Sequence, residues 1–137
     1  MILYVLSGLP GAGKTTRALE ITQTTGAVFV CRDELRVSYR VPVDEGHLTF
    51  VMAEQARFFL KHGYDVVVDS WNLTEWDQKL WFDLAAECNA IIQWQHMNTP
   101  VEVCIERDAK RQLSIGSECV MGAAVEFASR LQLLADD

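Results

Sequence analysis

The chain has 137 residues, half of them apolar and 23% charged, and a formal net charge of −7. That length is most simply one domain, residues 1–137, able to bury roughly two-thirds of its unfolded surface. The acidic balance argues against coating long nucleic acids by charge alone, and no apolar run approaches the ~20 residues of a membrane span.

The first predicted element is the strand "ILYVL", which runs straight into the glycine loop "GLPGAGKTT", Gly8 to Thr16. No basic segment precedes it, so it reads as a core strand and not as a signal peptide. Gly8, Gly13, Lys14 and Thr15 satisfy G-x-x-x-x-G-K-[ST] between a strand and a helix, the context that pattern requires. In such a loop the backbone N–H groups of Gly8, Leu9, Pro10, Gly11, Ala12, Gly13, Lys14, Thr15 and Thr16 (proline excepted) surround the phosphates of a nucleoside triphosphate. Lys14 then reaches the β- and γ-phosphates, and the Thr15 hydroxyl sits on Mg²⁺. ATP, or another nucleoside triphosphate, with Mg²⁺ is the expected ligand set. The helix that follows stops near Gly26, a residue suited to a C-terminal cap.

A second strand, "AVFVC", leads into "RDELR". Arg32, Arg36 and Arg40 lie four apart, and like charges so aligned repel unless something anionic sits beside them. Asp33 lies among them. Beside arginines a carboxylate stays ionised, as a general base must to take a proton from an attacking hydroxyl. The alternative makes Asp33 a helix N-cap and the arginines a solvated face.

A helix is expected from Asp44 to Gly63, with Leu48, Val51, Met52, Ala56 and Phe59 on one face. The third strand, "DVVVD", closes on Asp69, which resembles a Walker B aspartate orienting the Mg²⁺ shell through water. Trp71, just beyond, either packs under the site or stacks on an acceptor. Thr74 and Asp77 have capping-box spacing before a helix with Leu80, Leu84 and Cys88 inward; Trp76, Trp81 and Trp94 fall at core or interface positions.

The fourth strand, "AIIQW", precedes "NTPVEVCIERDAKR", with Thr99 expected as N-cap, Pro100 at the first helical position and Glu102 reaching back. Arg107 and Arg111 form an i, i+4 pair on that helix, whereas Glu106 and Lys110 satisfy each other. Residues 99–120 read as a helical lid that lowers arginines over the transferring phosphates, with Arg111 to Val120 as its hinge. A last helix is expected over roughly 122–134, with Val125, Leu131 and Leu134 among its apolar residues.

Cys31, Cys88, Cys104 and Cys119 are too scattered for a disulfide framework or zinc site, which suggests reduced thiols in a cytoplasm, and Cys104 is expected to face the core. Residues 1–40 carry five basic and three acidic side chains, so positive charge gathers at the phosphate loop of an acidic protein.

Strand–helix alternation predicts an α/β fold of the P-loop NTPase kinase type: about four parallel strands, helices on both faces and a helical lid. Each strand ends in a chemically capable cluster, and parallel strands bring such clusters to one sheet edge.

"GLPGAGKTT" followed by "CRDELR" resembles the 5′-polynucleotide kinase family, which pairs a phosphate loop with R-D-x-x-R; "TPVEVCIERDAKR" is similar to that family's lid. The resemblance covers roughly residues 1–112. It implies transfer of the γ-phosphoryl group of ATP to the 5′-hydroxyl end of DNA or RNA. Asp33 is then the base and Arg36 the contact to the acceptor's phosphate, and Ser70 and Asn72 lie on the acceptor side. Arg111 is implied at the β/γ-phosphates and Arg107 in a supporting donor contact. Trp71 stands where a threonine is usual, a departure on the acceptor side. Two other readings are a kinase for a small hydroxylated acceptor, such as a nucleoside, modified base or antibiotic, and a nucleotide-gated binding module.

Overall fold

The computed structural model describes residues 1–111 and 114–136. Among them, β1 (Ile2–Ser7), β2 (Val28–Cys31), β3 (Val66–Asp69) and β4 (Ile91–His96) form one parallel sheet in the order β2-β3-β1-β4. Leu6 and Cys31 both lie in register with Asp69, and Ser7 with His96, so the strand ends are level where the site must form.

Among the described residues, seven helices accompany the sheet: α1 (Lys14–Thr25), α2 (Arg32–Tyr39), α3 (Glu45–Lys61), α4 (Glu75–Glu87), α5 (Val101–Ala109), α6 (Ser117–Glu126) and α7 (Ala128–Asp136). β1 is buried on both faces, as a central parallel strand should be. On one face Leu3 and Val5 join Val66 and Val68 against Met52, Ala56 and Leu60 of α3 and Trp81 and Leu84 of α4. On the other, Tyr4, Leu6 and Val67 meet Ala18 and Ile21 of α1. Each fully buried aliphatic side chain contributes about 1.5–3 kcal/mol, so these two layers carry the fold.

Several ends are built as the sequence indicates. Gly26 takes a left-handed conformation (φ 75°) and donates its N–H to the Thr22 carbonyl. The Asp44 carboxylate accepts from the His47 N–H, and Thr74 and Asp77 form the reciprocal capping box.

Four expectations are corrected. The N-cap of α5 is Pro100, not Thr99, and no side chain caps it, Glu102 included; the Thr99 hydroxyl instead donates to the Ala12 carbonyl at 2.8 Å. The single helix expected over 122–134 is two, α6 and α7, broken around Phe127, and Val125 is exposed. Of the core or interface positions expected for the tryptophans, the core is excluded for Trp76, which is 63% exposed, whereas Trp81 is buried. Asp33 is no N-cap: Cys31 holds that position and Asp33 lies in the first turn of α2.

A third apolar cluster joins Leu9 and Ala12 of the glycine loop to Leu73, Cys104, Val120, Ala123 and Leu134. Trp71 lies against it, edge-on to Phe127, in the packing alternative. The predicted lid is therefore seated on the phosphate loop through apolar contacts. Part of the expected hinge, Gln112 and Leu113, lies outside the described residues. No helix is long and apolar enough to cross a membrane among the described residues.

Candidate active site

The glycine loop leaves β1 and turns into α1 around Gly11 (φ 81°) and Gly13 (φ 101°). Gly11 is under a double constraint, because a Cβ there would lie 2.2 Å from the Cys104 carbonyl oxygen. Only glycine permits both that φ and the close seating of α5 on the loop.

Lys14 opens α1 and is buried; its ammonium donates to the carbonyls of Gly8 (3.0 Å) and Leu9 (2.7 Å). Burial lowers its pKa to about 8, with the Asp69 carboxylate opposing. The Thr15 hydroxyl donates to Asp69 Oδ2 at 2.6 Å, joining the start of α1 to the end of β3. Burial pushes the Asp69 carboxyl up, while the Thr15 hydrogen bond and Lys14 pull it down. Cys31 Sγ lies 3.7 Å from the same oxygen, and burial raises its thiol to about 12, which makes it a packing group and no nucleophile.

Beyond β2, Asp33 stands between two arginines. Arg36 Nη1 donates to its Oδ1 at 2.7 Å, and Arg111 Nη2 to its Oδ2 at 2.9 Å. Arg111 follows α5, which ends at Ala109, so the expected continuous helical pair with Arg107 is corrected. Arg107 turns to the phosphate loop and donates to the Ala12 carbonyl at 3.2 Å. It also lines a cleft of about 500 Å³ with Gly13, Thr16, Arg17, Met97 and Thr99.

Three polar groupings at or near the site escaped the sequence. Arg32 is held by Ser70 Oγ (2.9 Å), Thr49 Oγ1 (2.5 Å) and the Glu45 carboxylate (3.3 Å). Glu45 also pairs with Arg36. The anion that the arginine row demanded thus comes partly from another helix, α3, which no local spacing reveals. Arg40 caps the end of α2 (φ 62°), outside this group.

Asp108 is the third, 1% exposed, accepting from Ser114 Oγ (2.9 Å), Ile115 N (3.3 Å) and Gly116 N (3.0 Å), with Arg111 Nη1 at 3.5 Å. Burial opposes its ionisation, but these donors prevail and hold its carboxyl below the usual range. Asp108 followed nine residues later by the start of a helix was the available signal.

Asn72 is 3% exposed, with φ 50°; its Nδ2 donates to the Leu6 carbonyl at 2.7 Å and its Oδ1 accepts from Trp81 Nε1 at 2.9 Å. Both ends of its amide serve the fold. Ser70 faces Arg32.

The residues present suit a nucleoside triphosphate and Mg²⁺. The loop has the two left-handed glycines and buried ammonium of a phosphate cradle, and Thr15 with Asp69 supplies hard oxygen donors.

Solved structures similar to this one include kinases and a repair assembly. A chain of the Pnkp1/Rnl/Hen1 RNA repair complex is similar at TM-score 0.79 and 23% identity, over 98% of this chain and 45% of that one. A sugar kinase from Janibacter sp. HTCC2649 is similar at TM-score 0.66 and 18% identity, over 93% and 77%. The Mycobacterium tuberculosis APS kinase CysC, in complex with AMPPNP and APS, is similar at TM-score 0.58 and 20% identity, over 79% and 68%. The chain thus spans less than half the length of the repair-complex chain it matches. No curated protein matches it. A family model described as an AAA domain matches residues 3–134. The chain therefore belongs to the AAA domain family, and its fold is that of a P-loop kinase.

Proposed function

We propose that the protein transfers the γ-phosphoryl group of ATP to the 5′-hydroxyl end of a DNA or RNA strand. The observation that carries this reading is the Asp33 carboxylate, held by Arg36 and Arg111 at the same sheet edge as Lys14 and Thr15.

In this reaction Asp33 takes the proton of the attacking hydroxyl as its oxygen bonds to the γ-phosphorus, and the bond from that phosphorus to the β,γ-bridging oxygen breaks, leaving ADP. Lys14 and Arg111 offset negative charge on the transferring group. Arg107 and the adjoining cleft orient the donor nucleoside, and Arg36 meets the phosphate beside the accepting nucleoside. Thr15 and, through water, Asp69 would hold Mg²⁺, whose charge when bound neutralises the triphosphate oxygens. The likeness to a chain of the RNA repair complex supports a nucleic-acid acceptor.

A second reading, a kinase for a small hydroxylated acceptor, is favoured by the likeness to a sugar kinase and an APS kinase. Incubation with γ-labelled ATP and either 5′-hydroxyl oligonucleotides or free nucleosides and sugars separates the two. Label on the oligonucleotide is expected; label only on small acceptors overturns the first reading. Steady ATP hydrolysis with no acceptor labelled, unchanged in Asp33→Ala, points to a nucleotide-gated binding module.

A further inference from the structure

Glu45, the first residue of α3, has one carboxylate oxygen on Arg36 and the other on Arg32, at 3.3 Å. A carboxylate spanning two guanidinium groups, with one N–H from each, occupies the place of a phosphate, since guanidinium groups bind either anion. The two arginines are anchored differently. Arg32 is fixed by Ser70 and Thr49, whereas Arg36 has Asp33 and Glu45 as its carboxylate partners. The Glu45 side chain is 61% exposed, and the cap of α3 is Asp44, so its carboxylate serves these arginines and not the helix end.

We propose that the Glu45 carboxylate is a built-in stand-in for the acceptor's phosphate, and that an acceptor binds by displacing it from Arg32 and Arg36. The inference rests on the reading of Arg36 as the acceptor-phosphate contact and extends it in two ways. It adds Arg32 as the second arm of the anion subsite, and it makes Glu45 the competitor that an acceptor's phosphate must displace from it. Exchange of a carboxylate for a phosphodiester leaves the charge around the arginines unchanged. An exposed ion pair is worth little, so the exchange is accessible. A neutral acceptor has nothing to offer the two arginines in return, so Glu45 keeps the subsite filled until an acceptor with an adjacent phosphate displaces it. It also screens the arginines from unproductive anions.

The test compares wild type with Glu45→Gln, and with Glu45→Ala as a second variant, after thermal melting confirms folding. Titration with thymidine 3′-monophosphate and with thymidine, both with ADP and Mg²⁺ present, is paired with kinetics on a 5′-hydroxyl oligonucleotide. Removing the competing charge is expected to tighten thymidine 3′-monophosphate about three- to tenfold. Thymidine affinity should stay the same, and KM for the oligonucleotide should fall with kcat unchanged. Unchanged or weaker binding of thymidine 3′-monophosphate in both variants overturns the proposal, because Glu45 would then only brace the arginines. If the tightening is seen but no oligonucleotide is phosphorylated by wild type, the polynucleotide kinase reading fails and the Glu45 subsite stands. If oligonucleotides are phosphorylated and the titrations do not change, the reverse holds.

Discussion

Arg111 Nη2 donates to Asp33 Oδ2 at 2.9 Å, joining the turn after α5 to the first turn of α2. The contact brings a residue of the predicted lid to the proposed general base, 78 positions away in the chain. In the proposed mechanism Arg111 then has two duties, offsetting phosphoryl charge and orienting the base.

Asp33→Ala should therefore lower kcat by about 10²–10⁴, the usual contribution of a positioned base. ATP affinity, measured by titration, should stay within about threefold because Asp33 lies on the acceptor side. Transfer at the wild-type rate would remove Asp33 from the mechanism.

Arg111→Gln is expected to lower kcat about 10²-fold or more, as loss of a charge-stabilising donor does. Arg111→Lys should recover only part of this, because a lysine is a point charge and lacks the fork that reaches Asp33 and a phosphate together. Equal activity of the two variants would mean that bidentate geometry is not used.

Thr15→Val removes a hydroxyl without changing side-chain shape and leaves Asp69 without its 2.6 Å partner. Nucleotide binding should lose most of its Mg²⁺ dependence, read by titrating ADP with and without the metal. An undiminished effect of Mg²⁺ would place the metal elsewhere.

Gly11→Ala introduces a Cβ at 2.2 Å from a backbone oxygen at a φ of 81°. Neither the loop nor α5 can yield without disturbing the apolar cluster beneath, so a loss of about 2–4 kcal/mol is expected in denaturant unfolding. Gly63→Ala is the control: its Cβ would meet nothing within 4 Å, so only the cost of φ 87° remains.

Asp108 makes the acid limb of stability testable. Its carboxyl is held below the ordinary value of 3.8, so the unfolded chain binds its proton more readily than the folded one. The stability it contributes is complete above about pH 5 and is lost as pH falls through 3.8 toward the lower folded value. Asp108→Asn should cost about 2–4 kcal/mol at pH 7, by weakening charge-assisted bonds to Ser114, Ile115 and Gly116. The variant should also show a shallower fall in melting temperature between pH 5 and pH 3. An unaltered acid slope would show that other carboxylates carry it.

The glycine loop, the four strands and the caps at Gly26, Asp44 and Thr74 were legible because each is a local pattern whose physics is complete within a few residues. Misreadings arose where a distant group outbid a local one. Thr99 had the spacing of a cap, but the Ala12 carbonyl, 87 positions earlier, accepts its hydroxyl proton. The break at Phe127 leaves no Gly or Pro signal, and Leu134 is drawn into the cluster beneath the glycine loop. Nor did any local pattern show that the amide of Asn72, which the motif resemblance sets on the acceptor side, bonds to Leu6 and Trp81.

The sequence by itself determined the donor half of this protein, since a phosphate loop between a strand and a helix is a contiguous device. It also determined that the other clusters share a sheet edge, because parallel strands put their carboxyl ends on the same side. Only the tertiary structure decided which charges face one another there. Arg111 meets Asp33, and Glu45 spans Arg32 and Arg36, because the register of β2 and β3 and the seating of α3 and α5 set distances that no spacing along the chain encodes.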